Sequence, residues 1–517
     1  MNKNLNQEIQ KLINMYKYGD FSGVLKKCSL LVKKHPKNDF LWNLAGLSFQ
    51  QIGDNKNAIT SFQSAIHINS QNISAKNNLA ISFKNNREYK RAEEILNNLL
   101  KEKPDYFNAL INLANLKNDT YFFDEAIELY KKAIDTDEKS PELYLNISNA
   151  LQITNKMDEA KEYLFKALDL NKNFTKADQN LSMILNYKNK DNNKHFESML
   201  DKINNSILPD QDKVQLHFGL GKAFEDKKDY ENSYNHFEKG NKINLRNKQS
   251  LINYYKQLSN DLKKYFSKLD FNKFKKNNDS SNKIFILGLP RSGTTLLEKI
   301  ISSHSEVSTV SEIEFLYRKV NQNIFKSKKL DENQVSIFLN KDLNKEYDEF
   351  IKNYNVKNNY TIDKTLTNFW YIGFIKIFFP DAKIIHSYRN PKDNCLSIYK
   401  NLFLNNESWP YSQEQIGEYY LIYNDLMKFW NELFDGKIYN NKYEDTINDH
   451  ENSVKKIINF CGLKWDNKCL EHHKNNNPIK TLSINQANKP IYKTSIDSSK
   501  LYSAKLSKLY SILDRLI

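Results

Sequence analysis

The sequence runs to 517 residues, with 39% hydrophobic and 27% charged side chains and 30 each of Tyr and Phe, enough for several folded domains. That balance excludes a disordered polymer, and four scattered cysteines (Cys28, Cys395, Cys461 and Cys469), none in a CxxC pair, exclude a disulfide-stapled scaffold or a cysteine metal site. The formal charge of +15 is spread out, +6 from Ser281 onward (33 basic less 27 acidic) and +9 before it, which suits an anionic small molecule better than a nucleic acid.

Apolar runs such as Ile284 to Leu287 and Ile372 to Pro380 fall short of the roughly 18 residues that cross a bilayer. The start, Met1 to Glu8, lacks the continuous apolar core of a secretory signal. The expectation is no membrane span and a cytoplasmic location.

From the first residues onward the chain is periodic. Ala58, Ala92, Ala126 and Ala160 lie 34 apart (92−58, 126−92 and 160−126). Trp42, Gly46, Phe49, Phe62 and Ala65 share the register of Ala58, and Leu79, Ala80, Phe83, Leu96 and Pro104 that of Ala92. Leu113, Ala114, Tyr130 and Ala133 go with Ala126, and Ile147, Leu164 and Ala167 with Ala160. This is the tetratricopeptide spacing, in which a small residue at a helix crossing lets antiparallel helices approach and an aromatic or leucine fills the space beside it. Val24, Leu31 and Pro36 mark a degenerate unit before these, and His217, Gly221, Phe224, Phe237 and Gly240 a late one after them. The polar run Asn186 to Asn193 interrupts the register, so a loop or irregular helices are expected there, with the solenoid irregular around 186–210. The expected division is an all-α solenoid over 1–245, a helical and polar connector over 246–282, and an α/β domain over 283–517. A solenoid surface of this kind suits a protein or peptide partner or substrate, with a purely structural role or a homodimer as the alternatives.

After Ser280 the pattern changes to strand, glycine loop and helix: Ile284 to Leu287, Gly288-Leu289-Pro290-Arg291-Ser292-Gly293-Thr294-Thr295, then Leu296 to Ile301. Such a loop aims backbone N–H groups at an anion, and the helix that follows favours a phosphate. The spacing is that of the nucleotide P-loop, but Thr294 stands where that loop carries its lysine, so NTP hydrolysis is disfavoured. The string resembles the 3′-phosphoadenosine 5′-phosphosulfate (PAPS) loop of sulfotransferases. The resemblance implies that Arg291, Ser292, Gly293, Thr294 and Thr295 hold the 5′-phosphosulfate, with Arg291 also serving catalysis.

Later segments extend the resemblance over about residues 283–495. Ala382 to Tyr399 reads as a buried strand ending at Arg389, a turn with Pro391, then a helix; in sulfotransferases a strand-end arginine and a serine at the spacing of Arg389 and Ser397 clasp the cofactor's 3′-phosphate. Val310-Ser311-Glu312-Ile313-Glu314 is similar to the segment that carries the base of protein-tyrosine sulfotransferases and of bacterial tetratricopeptide-linked relatives. It makes Glu312 the candidate general base, with His304 the rival and Glu314 close enough to be confused with it. Asp363-Lys364-Thr365-Leu366-Thr367-Asn368 resembles the family's Asp-Lys-x-Pro-x-Asn, with Leu366 in the proline's place, and implies that Lys364 offsets charge on the bridging oxygen. Tyr443-Glu444-Asp445 and Cys461-Gly462-Leu463-Lys464-Trp465 resemble two further family segments. Gln486-Ala487-Asn488-Lys489-Pro490 resembles the Gln-x-x-Lys-Pro of the tyrosine enzymes, with Asn488 where bacterial relatives have arginine. Tyr443, Ser483 and Lys489 complete the implied cofactor contacts. The whole resembles a tetratricopeptide-repeat sulfotransferase that moves a sulfuryl group from PAPS, without a metal, to an acceptor hydroxyl. A protein tyrosine presented through the repeats is the leading acceptor; a glycan or small molecule, or a scaffold with an idle transferase domain, are the alternatives.

Overall fold

The computed structural model describes residues 3–136, 139–205, 207–274, 279–324, 330–403, 406–475, 477–481 and 484–516. Ser483, one of the expected cofactor contacts, lies outside them. The chain forms two compact units, Met1–Ala150 and Leu151–Ile517.

The first unit is all-helical. Lys3–Lys17 and Phe21–Lys34 precede the helix pairs Asp39–Gln51 with Asn55–Ile68, Ile73–Asn85 with Tyr89–Glu102, and Phe107–Asp119 with Phe123–Thr136. Starts are set by polar caps: Asn38, Asp54 and Asn72 accept hydrogen bonds from the N–H groups of Leu41, Asn57 and Ala75. The 34-residue alanines Ala58, Ala92 and Ala126 are fully buried, the first two in one core with Phe62, Phe83, Leu96 and Leu113. A Cβ on Gly46 would lie 2.5 Å from the Phe62 ring, the close approach that the repeat spacing implied. Asn112 donates to Asn77 at 2.9 Å and Gln50 to Ser82 at 2.7 Å, tying successive repeats together.

The second unit opens with helices Met157–Leu170, Thr175–Ile184, Asn193–Asn205, Asp210–Asp226, Tyr230–Leu245 and Ile252–Phe266. The interruption after Ile184 is short: a single 3-10 turn, Lys190–Asn192, leads into the helix Asn193–Asn205. It is pinned by a buried network in which Lys202 Nζ meets both Asp178 oxygens at 2.7 and 2.9 Å, and His195 bridges Asp178 and Tyr187. Gly221 repeats the Gly46 contact, its Cβ position 2.6 Å from the Phe237 ring.

The α/β part is built on a five-stranded parallel sheet in the order β2-β3-β1-β4-β5, with β1 Lys283–Leu287, β2 Val307–Ser311, β3 Tyr360–Asp363, β4 Lys383–Tyr388 and β5 Ile438–Lys442. Every residue of β1 is buried, as a strand covered on both faces requires. Ile284 and Ile286 join Ile362 and Ile385 beneath the helices Thr294–Ser302 and His450–Phe460. Phe285 points the other way, against Tyr347 and Phe379. The register pairs Leu287 with His386 and Phe285 with Asp363, so the segments that leave β1, β3 and β4 emerge side by side at the carboxyl edge, where open α/β sheets hold ligands.

Candidate active site

The loop after β1 is shaped by three residues with positive φ. Gly288 (φ 146°) lies against β4, where a Cβ would meet the Ser387 carbonyl oxygen at 2.3 Å; Gly293 (φ 99°) lies on Tyr443, where a Cβ would come 2.5 Å from the ring. Arg291 takes φ 68° without being glycine, a conformation that persists only where surroundings enforce it. Those surroundings are Asn394, which donates to the Pro290 carbonyl at 2.8 Å, and Ser387, which donates to the Ser292 carbonyl at 2.9 Å. The helix Thr294–Ser302 then starts with Thr294 and Thr295 buried at its positive end. The Ser292 hydroxyl is buried with no hydrogen-bond partner, an unmet polar group of the kind an anionic oxygen satisfies.

Two guanidinium groups converge beside this loop. Arg291 Nε donates to Ser397 Oγ at 3.1 Å, and its terminal nitrogen to Gln486 Oε1 at 2.5 Å. Arg389, at the end of β4 and 7% exposed, sits over the Tyr443 ring at 5.0 Å and donates to the Ser495 carbonyl oxygen, while its Nε is buried without a partner. Burial, with Arg389 adding to it, holds the Arg291 guanidinium below its ordinary pKa. Ser397 is therefore engaged by Arg291, and Arg389 stands beside that pair and is bonded to the chain's later segment. Asp393 fixes the same segment by accepting from the N–H groups of Asp497 and Ser499, both at 2.8 Å, and Tyr443 OH meets Ser495 Oγ at 2.8 Å. A site with two cations, an unpaired buried hydroxyl and a glycine cradle fits a ligand carrying two phosphate-type groups.

At the foot of the loop Lys364, fully buried, extends Nζ to 2.5 Å from Glu312 Oε1 and 3.6 Å from Glu298 Oε2. Glu312 is 40% exposed, opening the pair to an incoming acceptor. Burial alone would lower the lysine's pKa, but the two carboxylates outweigh it and hold the ammonium above its ordinary value. The neighbouring Asp363 carboxyl is pushed up to about 6 by burial, although Thr365 donates to it at 3.0 Å. Asn368 is turned back toward that carboxylate.

His304 has both ring nitrogens occupied by the main chain, Nε2 with the Lys464 carbonyl at 2.8 Å and Nδ1 with the Glu306 N–H at 3.1 Å. Glu314 adopts φ 52° at the start of the next helix. The Lys489 side chain is exposed, its carbonyl faces His472, and its charge is felt by Lys222 of the helix Asp210–Asp226. The structure thus brings Arg291, Ser292, Gly293, Thr294, Thr295, Arg389, Ser397 and Tyr443 together around the glycine loop, and Glu312 with Lys364 into a second group. It also adds Glu298, Asp393 and Ser495, to which no site role was assigned from the sequence, and gives Gln486, known from the sequence only as part of the Gln-x-x-Lys-Pro string, a contact with Arg291. Glu298 had one legible signal, a lone carboxylate in the apolar helix Leu296 to Ile301.

Among the described residues, no group of three or more His, Cys, Asp or Glu side chains is placed to hold a metal, and no helix is long and apolar enough to cross a membrane. Residues 283–467 match the model of the sulfotransferase family, and residues 41–72, 77–141 and 141–174 match tetratricopeptide-repeat models. An uncharacterized protein of Aquifex aeolicus (strain VF5) is 30% identical over 328 residues, covering 60% of this chain and 43% of that protein, so the chain spans less than half the length of the curated relative it matches. Among solved structures, MamA is 24% identical and covers 31% of this chain and 93% of its own at a TM-score of 0.28. A tetratricopeptide-repeat protein of Parabacteroides merdae ATCC 43184 is 18% identical and covers 48% and 95% at 0.36. Residues 283–467 thus carry a sulfotransferase-family domain, with tetratricopeptide repeats ahead of it.

Proposed function

We propose that the protein transfers a sulfuryl group from PAPS to an acceptor hydroxyl, foremost a protein tyrosine presented through the repeats of residues 1–245 to a transferase domain of residues 283–517. The observation that carries the reading is the half-exposed Glu312 held 2.5 Å from the buried Lys364 at the foot of the glycine loop. PAPS supplies the sulfuryl group and, in its 3′-phosphate, a second anion. Ser292, Gly293, Thr294 and Thr295 hold the 5′ end. Arg389, with Ser397 and the Tyr443 ring, takes the 3′-phosphate; Arg291 lies between the two ends. Glu312 accepts the acceptor's proton as the acceptor oxygen bonds to sulfur, and Lys364 offsets the charge left on the bridging oxygen when the S–O bond to the phosphate breaks. His304 is disfavoured as base because its ring nitrogens are bonded to main chain. No metal enters the scheme, and the cytoplasm is the proposed location.

The test is thermal unfolding with 3′-phosphoadenosine 5′-phosphate (PAP) or 5′-AMP. At about 100 times its Kd a ligand adds about 2.7 kcal/mol, a shift of a few degrees. PAP is expected to raise the midpoint of the wild type, AMP to leave it, and Arg389→Ala to abolish the PAP effect; equal shifts with AMP would sink the reading. Radiolabelled PAPS offered with a tyrosine peptide, its serine counterpart and an oligosaccharide then identifies the acceptor class, with label on the tyrosine peptide expected.

A further inference from the structure

Glu298 has no part in the transfer just described, yet it is fully buried beside it. A buried carboxylate is costly unless a cation and hydrogen bonds compensate. Thr309 donates to Oε1 at 2.5 Å, and Oε2 faces Lys364 Nζ at 3.6 Å across from Glu312. The other charged groups nearby are directed elsewhere. Lys299, next on the helix, turns its ammonium to the carbonyls of Asn475 and Asn477 at 2.7 and 3.0 Å, and Asp363 is held by Thr365 and Tyr347. Lys364 therefore lies between two carboxylates of unlike exposure: Glu312, open to solvent, and Glu298, sealed. Burial pushes the Glu298 carboxyl above its ordinary value, with Lys364 opposing that rise.

We propose that Glu298 is a positioning residue whose buried carboxylate fixes Lys364 as an ammonium at the foot of the loop, so that the lysine stays charged and in place while Glu312 takes the acceptor's proton. The inference rests on the sulfuryl-transfer reading above. The asymmetry gives it its force: once Glu312 is neutral, Glu298 is the remaining carboxylate within 4 Å of Lys364 among the ion pairs of the described residues. Without it the lysine would face a low-dielectric pocket with no counter-charge just as negative charge develops on the bridging oxygen.

The experiment measures the decay of enzyme-bound PAPS, with a tyrosine peptide or with water as acceptor, from pH 6 to 10 in the full-length wild type, Glu298→Gln and Glu298→Asp; PAP-induced thermal shifts check each fold. Glu298→Gln is expected to keep the PAP shift, to lose about tenfold or more in the transfer rate with little change in the KM for PAPS, and to move the alkaline limb of the profile down by about one pH unit. The sign follows from removing one of the two charges that keep Lys364 protonated. Glu298→Asp should move the limb in the same direction by less. A Glu298→Gln rate and profile equal to the wild type's would overturn the inference. So would two variants that fail to fold or to respond to PAP, since Glu298 would then be a folding residue only. A wild type that takes up neither PAP nor PAPS is a different result and removes the sulfotransferase reading itself.

Discussion

Asp363 and Lys364 are neighbours in the chain, and burial acts on them in opposite senses. For Asp363 it wins: the carboxyl is 1% exposed and its pKa rises from 3.8 to about 6. A carboxyl whose folded pKa exceeds its unfolded value binds its proton more tightly when folded, so its stabilising contribution is complete below pH 3.8 and is lost as pH rises through 6. Two units correspond to about 3 kcal/mol. Asp363→Asn keeps the acceptor for the Thr365 N–H and cannot ionise. Urea unfolding at pH 4 and pH 7 should therefore show the wild type losing stability relative to the variant across that interval, by up to about 3 kcal/mol. Equal pH dependence of the two proteins would refute the raised value. Lys364 was legible because Asp-Lys followed by Asn368 is a recognisable string. Glu298 was legible only as a lone carboxylate in an apolar helix, because its partner is a cation 66 residues later in the chain (364−298) that only the sheet brings near.

At the scale of the element, the glycine loop shows how far a motif can be trusted. Strand, loop and helix were all readable from Ile284 to Ile301, and the structure adds why glycine is required at two places. Gly288 meets a backbone carbonyl and Gly293 an aromatic ring, whereas Gly436 has a positive φ of 67° and nothing within 4 Å. Positive φ alone costs an L residue about 1–2 kcal/mol. Gly436→Ala should lose about that much, and Gly288→Ala at least about 3 kcal/mol, because Ser387 cannot withdraw its carbonyl without distorting β4. Gly293→Ala should fall between them, since the Tyr443 ring can shift, but should also weaken PAP binding by displacing the ring under Arg389. Thermal unfolding with and without PAP separates these effects, and equal losses at Gly288 and Gly436 would show the contact to be irrelevant. The segment that engages both arginines was far less legible. It consists of the short helix Ile484–Ala487 and the stretch to Ser499, with no hydrophobic period to announce it. Its hold on the site comes from the Gln486 side chain, the Ser495 carbonyl and the N–H groups bound by Asp393.

Across the molecule, the sequence divides by pattern and the folded chain by packing, and the two need not fall at the same residue. The helices Asp210–Asp226 and Tyr230–Leu245 carry the last repeat-like spacing and Ile252–Phe266 lies in the expected connector, yet all three share a core with the sheet domain. Phe266 packs between Phe374 and Trp430 with ring centroids 5.0 and 5.3 Å apart, and Gly373 is small because the Phe266 ring lies 2.5 Å from its Cβ position. Tyr255 stacks on Trp370 at 5.7 Å, Gln413 donates to Tyr234 OH at 2.7 Å, and Lys400 pairs with Glu225 at 2.5 Å. Apolar side chains of this size contribute about 2–3 kcal/mol each when buried, so removing three or four exceeds the few kcal/mol of net stability a domain has. A fragment of residues 283–517 is thus expected to aggregate or remain molten, with ANS binding and no cooperative transition. A fragment of residues 151–517 should unfold cooperatively and keep the PAP-induced shift, because residues 1–150 form a unit with its own internal core. If the shorter fragment unfolds cooperatively with an undiminished PAP response, the aromatic packing of Tyr255 and Phe266 is dispensable and the repeat-derived helices are only a passive extension of the catalytic domain.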